Sequence, residues 1–270
     1  MAETSVAARP IGVFDSGIGG LTVVAALRAV LPNESIFYLG DTARVPYGGK
    51  SAATVQRYSL EIAAMLLEEK AKTVVVACNT ASALALPRLE ETLPVTVTGV
   101  ILPGARAAIA KTRSGHIGVI GTRATIASGA YERALRSLNS EIRLSARACP
   151  LLVPLIEEGW LENSITDKII LQYLAPLMND GVDTLVLGCT HYPLLRNAIA
   201  RLVGEKIALV DSAQNCALAV RDLLQRENLS APESTGARLQ VALTDPPDAF
   251  LRVAREALQL DVGEVQVRTL

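Results

Sequence analysis

The sequence predicts an α/β protein built from two similar three-layer units, each a mainly parallel sheet covered by helices. Three observations predict it. Short apolar runs rich in β-branched residues alternate with longer stretches of helical period. Many of those runs are apolar throughout, as strands of a parallel sheet covered on both faces are. The pattern also repeats. "IGVFDSGIGG" resembles "HIGVIGTRAT" at an offset of 106 residues (Ile11 to Ile117), and "VVVACNTAS" resembles "LVLGCTHYP" at an offset of 111 (Cys78 to Cys189). Every α/β chain repeats strand, loop and helix, but two matches at nearly one offset favour a duplicated unit. No Pro-, Gly- or Ser-rich linker marks a boundary between the copies.

In chain order, the predicted strands are "PIGVFD", "SIFYLGD", "TVVVACN", "VTVTGVI", "HIGVIGT", "IRLSARAC", "TLVLGCT", "IALVDS" and "LQVALTD". Between them, "LTVVAALRAVL", "AATVQRYSLEIAAMLLEEK", "SALALPRLEETL", "ASGAYERALRSL", "SITDKIILQYLAPLMNDG" and "YPLLRNAIARLVG" carry helical spacing. Half of the 270 residues are hydrophobic and only 4% are aromatic, so the core is sizeable and aliphatic. With 26 basic and 27 acidic side chains the net charge is -1, which gives no electrostatic case for nucleic acid or anionic lipid as a partner. No apolar run approaches the roughly 18 residues of a membrane span, and "MAETSVAARPIGVFD" does not read as a secretory signal. The expected location is the cytoplasm.

Four cysteines, at 78, 149, 189 and 216, form no CxxC pair, and the two histidines, His116 and His191, complete no zinc pattern. Cys78 stands where a strand ends and a helix begins. That is where open α/β sheets bind ligands, and a helix N-terminus lowers a thiol pKa from about 8.5. Cys189 has the same setting, with Thr190 and His191 beside it. A free cysteine also packs well as a small hydrophobe. Two in matched loops, each followed by hydrogen-bonding residues, point instead to chemistry. Cys149 and Cys216 lack such followers and read as packing, as does His116 at the start of a strand.

"FDSGIGG" ends a strand in a glycine-rich turn without the G-x-G-x-x-G spacing of a dinucleotide site. Asp15 at its mouth would repel a phosphate and suits an ammonium group, and Ser16 can donate to a carboxylate. Either could equally be a helix cap. "LGDTARVPYGGK" places Asp41, Tyr47 and Gly48 in a loop after the second strand, where function or a plain surface turn are both at home. "LVPLIEEGW" puts Glu157 and Glu158 after an apolar run, a place more often solvated than catalytic. His191 is close enough to Cys189 to act as a base or thiol partner.

Together, "FDSGIGGL", "GDTARVPYG", "ACNTASA", "VIGTRATI" and "LGCTHYPLL" resemble, in order, the glutamate racemases of the cofactor-independent aspartate/glutamate racemase superfamily. "LTDPPDAFLRVAREAL" is similar to that family's closing segment. The resemblance implies two α/β lobes related by a pseudo-twofold axis, with the active site in the cleft between them. The first lobe would be 1–99 with 211–270, and the second 100–210. It implies that the cysteine thiols flank the α-carbon of the substrate, Cys78 deprotonating D-glutamate and Cys189 L-glutamate. Asp15, Asp41, Glu157 and His191 would assist, with Glu158 a rival to Glu157. Substrate would be held by Asp15, Ser16, Tyr47, Gly48, Asn79, Thr80, Thr122, Thr190 and His191.

The chemistry of inversion agrees. It needs proton-transfer groups on both faces of one carbon, and thiols titrate near neutrality. The resemblance implies no cofactor and no metal. Lys50 is the one lysine in a candidate site loop and does not read as a Schiff-base residue. The expected partner is the small-molecule substrate, glutamate. The family often forms dimers, so a homodimer is compatible, but no helix-face pattern identifies an interface. "CNTA" with "CTHYP" favours glutamate over a related substrate such as aspartate. A non-catalytic two-lobe protein binding an acidic ligand would keep Asp15, Asn79 and Thr190 but would not need both thiols.

Overall fold

The computed structural model describes residues 5–232, 236–245, 250 and 253–269. Residues 246–249, 251 and 252 of the "LTDPPDAFLRVAREAL" segment therefore lie outside the described residues. The elements run β1 (Ile11–Asp15), α1 (Leu21–Val30), β2 (Ile36–Gly40), α2 (Ala52–Glu68), β3 (Thr73–Val76), α3 (Asn79–Leu84), α4 (Leu86–Thr92) and β4 (Val97–Gly99). They continue with α5 (Ile101–Lys111), β5 (His116–Gly121), α6 (Arg123–Ala127), α7 (Ala130–Leu138), β6 (Arg143–Ala148), α8 (Leu152–Glu157) and α9 (Ser164–Asn179). The last are β7 (Thr184–Gly188), α10 (Arg196–Val203), β8 (Ala208–Asp211), α11 (Ser212–Arg226), β9 (Leu239–Leu243) and β10 (Val265–Val267).

Two sheets form, in the orders β10-β9-β2-β1-β3-β4 and β6-β5-β7-β8, and every described strand pair is parallel. The strand order of β2-β1-β3-β4 is repeated as β6-β5-β7-β8, so the internal similarity of the sequence is also a similarity of topology. In both sheets the chain leaves a central strand toward one side and then returns to the other. Such a reversal opens a crevice at the carboxyl ends of the strands. In the first sheet the crevice lies after β1 and β3, and in the second after β5 and β7.

Each sheet is covered on both faces. One cluster packs β1 and β2 against α1, α11 and the C-terminal segment; another packs β3 against α2 and the α3–α4 region. In the second sheet α8, α9 and α10 cover one face, and α5 and α7 the other. The central strands β1, β2, β3, β5 and β7 are buried at every position, which is why they read as unbroken apolar runs. Strand β6 is an edge strand with no buried position, so the apolar reading of "IRLSARAC" overstated its burial. The helix expected over "SALALPRLEETL" is two helices. They meet at Ala85, and Pro87 sits in the first turn of α4, where its missing N–H costs nothing.

The repeat extends to a packing detail. A Cβ on Gly12 in β1 would stand 2.8 Å from Cβ of Ala71, and one on Gly118 in β5 would stand 2.9 Å from Cγ1 of Val182. In each copy the central strand needs glycine because the turn leading into the strand paired beside it, β3 or β7, packs on its backbone. Gly12→Ala should therefore destabilise the protein by about 1–3 kcal/mol through overpacking. Gly49→Ala, where an added Cβ meets nothing within 4 Å, should change little. Urea unfolding midpoints compare the two, and equal midpoints would contradict the packing account.

Candidate active site between the two sheets

The crevices of the two sheets face one cavity of about 390 Å³. The first sheet contributes Ser16, Tyr47, Gly48, Cys78, Asn79 and Thr80; the second contributes Thr122, Arg123, Glu157, Cys189, Thr190 and His191. Val45, Pro46, Pro150, Val153 and Pro154 complete the wall with apolar surface. Cys78 and Cys189, each 5% exposed, thus reach the same space from corresponding strands of the repeat, β3 and β7.

Cys78 is the N-cap of α3. Its sulfur accepts from the Ala81 N–H at 3.5 Å, and its S–H donates to Ser16 Oγ at 3.5 Å. The helix N-terminus does not produce the low pKa expected from sequence. Burial, with the Asp15 carboxylate adding to it, pushes the Cys78 thiol up to about 12 in spite of those two bonds. Removal from water outweighs a short helix dipole.

Asp15 is not at the cleft mouth, as the sequence suggested, but fully buried behind it. Its carboxylate accepts from Gly17 N–H at 2.9 Å and from Thr190 Oγ1 at 3.3 Å. Burial raises its pKa, while the nearby His191 and the N–H groups of Gly17 and Gly20 oppose the rise. Tyr38, which the sequence reading passed over, braces this turn by donating to the Gly17 carbonyl at 2.6 Å. Of the glycines of "GIGG", Gly19 serves contact between the sheets, while Gly17 and Gly20 pack against Val45, Asp15 and Tyr38 on their own side. A Cβ on Gly19 would lie 2.4 Å from Thr190 Oγ1 and 2.5 Å from His191 Nδ1, so the first crevice is packed on the second backbone to side chain.

Asp41 is also buried behind the wall. It accepts from Arg44 Nε, from Thr244 Oγ1 at 3.0 Å and from the Tyr47 hydroxyl. It therefore acts on the cavity through Tyr47, whose adjoining Gly48 presses on Thr122; a Cβ there would be 2.7 Å from Thr122 Cβ. Thr122, the N-cap of α6, shares hydroxyl bonds with Thr80 at 2.9 Å and Thr125 at 2.9 Å.

On the opposite side His191 joins Cys189 to Glu157. Its Nδ1 lies 3.9 Å from Cys189 Sγ and its Nε2 lies 3.1 Å from Glu157 Oε1. Burial works against a charged ring, but the bonds to Cys189 and Glu157 prevail and push the pKa up to about 10. A protonated imidazole there is placed to exchange a proton with the sulfur. Glu157, at the end of α8, meets His191, whereas Glu158 is exposed.

Lys50 is not among the cavity residues; its ammonium lies 5.9 Å from the Tyr58 ring centre. His116 is bound to Ser145 and Asp180 outside the cavity, and Cys149 and Cys216 sit in core clusters. Arg123 and the wall residues Val153 and Pro154 were missed by sequence reasoning. The signal for Arg123 was its place after Thr122 in a matched loop; the apolar wall carried none.

Residues 21–220 match the family model described as Asp/Glu/Hydantoin racemase. The glutamate racemase of Geobacter metallireducens is 51% identical over 257 residues, which cover 95% of each chain. Among solved structures, a glutamate racemase isoform from Bacillus anthracis superposes with a TM-score of 0.91 at 39% identity, covering 97% of both chains. The glutamate racemase of Francisella tularensis, solved in complex with D-glutamate, gives a TM-score of 0.91 at 35% identity, covering 97% of this chain and 98% of the other. The chain belongs to the Asp/Glu/Hydantoin racemase family.

Proposed function

We propose that the protein interconverts L- and D-glutamate, with Cys78 and Cys189 as the proton-transfer groups, and supplies D-glutamate for the peptidoglycan of the cell wall. The observation that carries this is two cysteines from corresponding strands of a repeated fold lining one cavity. The racemase relatives support glutamate as the substrate. We assign the first lobe to 1–99 with 211–270 and the second to 100–210, and place the reaction in the cytoplasm. No helix among the described residues is long and apolar enough to cross a membrane.

On this reading the thiolate of one cysteine removes the α-proton and the thiol of the other protonates the opposite face. Cys78 acts on D-glutamate and Cys189 on L-glutamate. Asn79, Thr80, Thr122 and Thr190, with Ser16, Tyr47 and Gly48, hold the carboxylates and the ammonium group. The two thiols are served differently. Cys78 has Ser16 and the buried Asp15 near it, so a substrate ammonium entering beside them favours its ionisation. Asp41 acts by fixing Tyr47. Cys189 has His191, which Glu157 keeps charged and which can return a proton to the sulfur.

Incubation with D-glutamate in deuterated water, without pyridoxal phosphate, should give L-glutamate with deuterium at the α-carbon. Absence of exchange with either glutamate enantiomer and with D-aspartate would overturn the racemase reading.

The pH profile tests the His191 relay. The ionisable groups facing His191 are Glu157, Cys189 and Asp15. His191 keeps its proton up to about pH 10, and loss of the Glu157 carboxylate lowers that limit. D-to-L turnover needs Cys189 as the acid and fails once His191 is neutral. Glu157→Gln should therefore move the alkaline fall of kcat for D-to-L turnover to lower pH by about one pH unit. An unmoved alkaline limb would contradict the relay.

A further inference from the structure

We propose that Tyr131 is a positioning residue for this site: its hydroxyl fixes the side-chain amide of Asn79 so that the N–H end faces the cavity and receives a substrate carboxylate. The inference rests on the glutamate reading above and adds to it a residue that does not line the cavity.

Tyr131 lies in α7, on the second sheet, and is buried. Its hydroxyl crosses to the first sheet and donates to Asn79 Oδ1 at 2.7 Å. Burial, with Cys189 and Asp211 nearby, holds the phenol protonated, so it acts as a donor to Asn79. An amide has one accepting and one donating end. With Oδ1 taken by the phenol, the end left over is Nδ2. That atom is buried on a residue lining the cavity and has no hydrogen-bond partner among the described residues. Burying a donor without a partner costs free energy, which a carboxylate in the cavity would return.

The ring that carries the hydroxyl has little room to move. A Cβ on Gly188, the residue before Cys189, would lie 3.0 Å from Tyr131 Cε2, and one on Gly104 would lie 3.6 Å from the Tyr131 oxygen. The tyrosine is thus wedged against the strand end that carries one thiol and bonded to the residue that follows the other. Without the hydroxyl, the Asn79 amide is free to turn and present its carbonyl oxygen to the carboxylate, which repels it.

Steady-state kinetics of Tyr131→Phe, Asn79→Ala and the double variant, with both glutamate enantiomers, test this. Tyr131→Phe should raise KM about tenfold, the worth of one lost hydrogen bond to a charged group, with kcat within about twofold of wild type. In the Asn79→Ala background the same change should add nothing, because the group it positions is gone. A wild-type KM in Tyr131→Phe, even with a lowered melting temperature, would overturn the proposal. So would an equal rise in both backgrounds. If Tyr131→Phe does not fold, Asn79→Ala alone tests the premise, since it removes the donor to substrate without adding a charge. KM should again rise, and an unchanged KM overturns the proposal. A wild type that turns over no glutamate overturns the functional reading as well; an active wild type with an indifferent Tyr131→Phe overturns this inference alone.

Discussion

The contact between the turn after β1 and the loop after β7 governs the rest of the site. The backbone at Gly19 lies directly on Thr190 and His191, with no room for a side chain between them. The Asp15 carboxylate accepts from Thr190, and Thr22 Oγ1 donates to the Thr190 carbonyl at 3.1 Å. Two sheets with separate cores are thereby held so that their crevices open into one cavity. A second set of bonds across the cavity, Thr80 to Thr122 and Tyr131 to Asn79, fixes the opposite side. Apart from His191 and Tyr131, these contacts use small polar side chains and glycine.

The repeated topology places equivalent groups at equivalent strand ends, but the environments of the two thiols differ. Cys78 is surrounded by a buried carboxylate, a hydroxyl and a backbone N–H, and stays a thiol at neutral pH in the cavity. Cys189 has a charged imidazole backed by Glu157. On the proposed reading, a reaction that is nearly symmetric about one carbon is run by two asymmetric half-sites. The first half-site depends on the ammonium group of the substrate, while the second carries its own proton donor.

Much of this was legible in the sequence because strands of a covered parallel sheet are apolar at every position. That made β1, β3, β5 and β7 visible, and with them the loops that follow. The paired settings of Cys78 and Cys189 followed from the repeat. Depth was not legible. Asp15 and Asp41 look alike in sequence as polar residues after strands, and only the packing of Gly17, Thr190, Tyr47 and Thr244 around them shows that they stand behind the wall. The raised thiol of Cys78 was hidden for the same reason, since a sequence shows the helix that follows but not the water that is excluded. Tyr131 escaped because its helix reads as an ordinary amphipathic one. Strand β10, with three residues and no buried position, has no periodic signal to find.

The central claim is that one cavity brings two thiols to opposite faces of one carbon, neither able to replace the other. Racemisation and solvent-deuterium incorporation by purified Cys78→Ala and Cys189→Ala, each followed from D- and from L-glutamate, test it most directly. The account predicts that each variant loses at least about a hundredfold in racemisation in both directions, since each direction needs one thiol as base and the other as acid. A Cys78→Ala protein that racemises glutamate at close to the wild-type rate would contradict it.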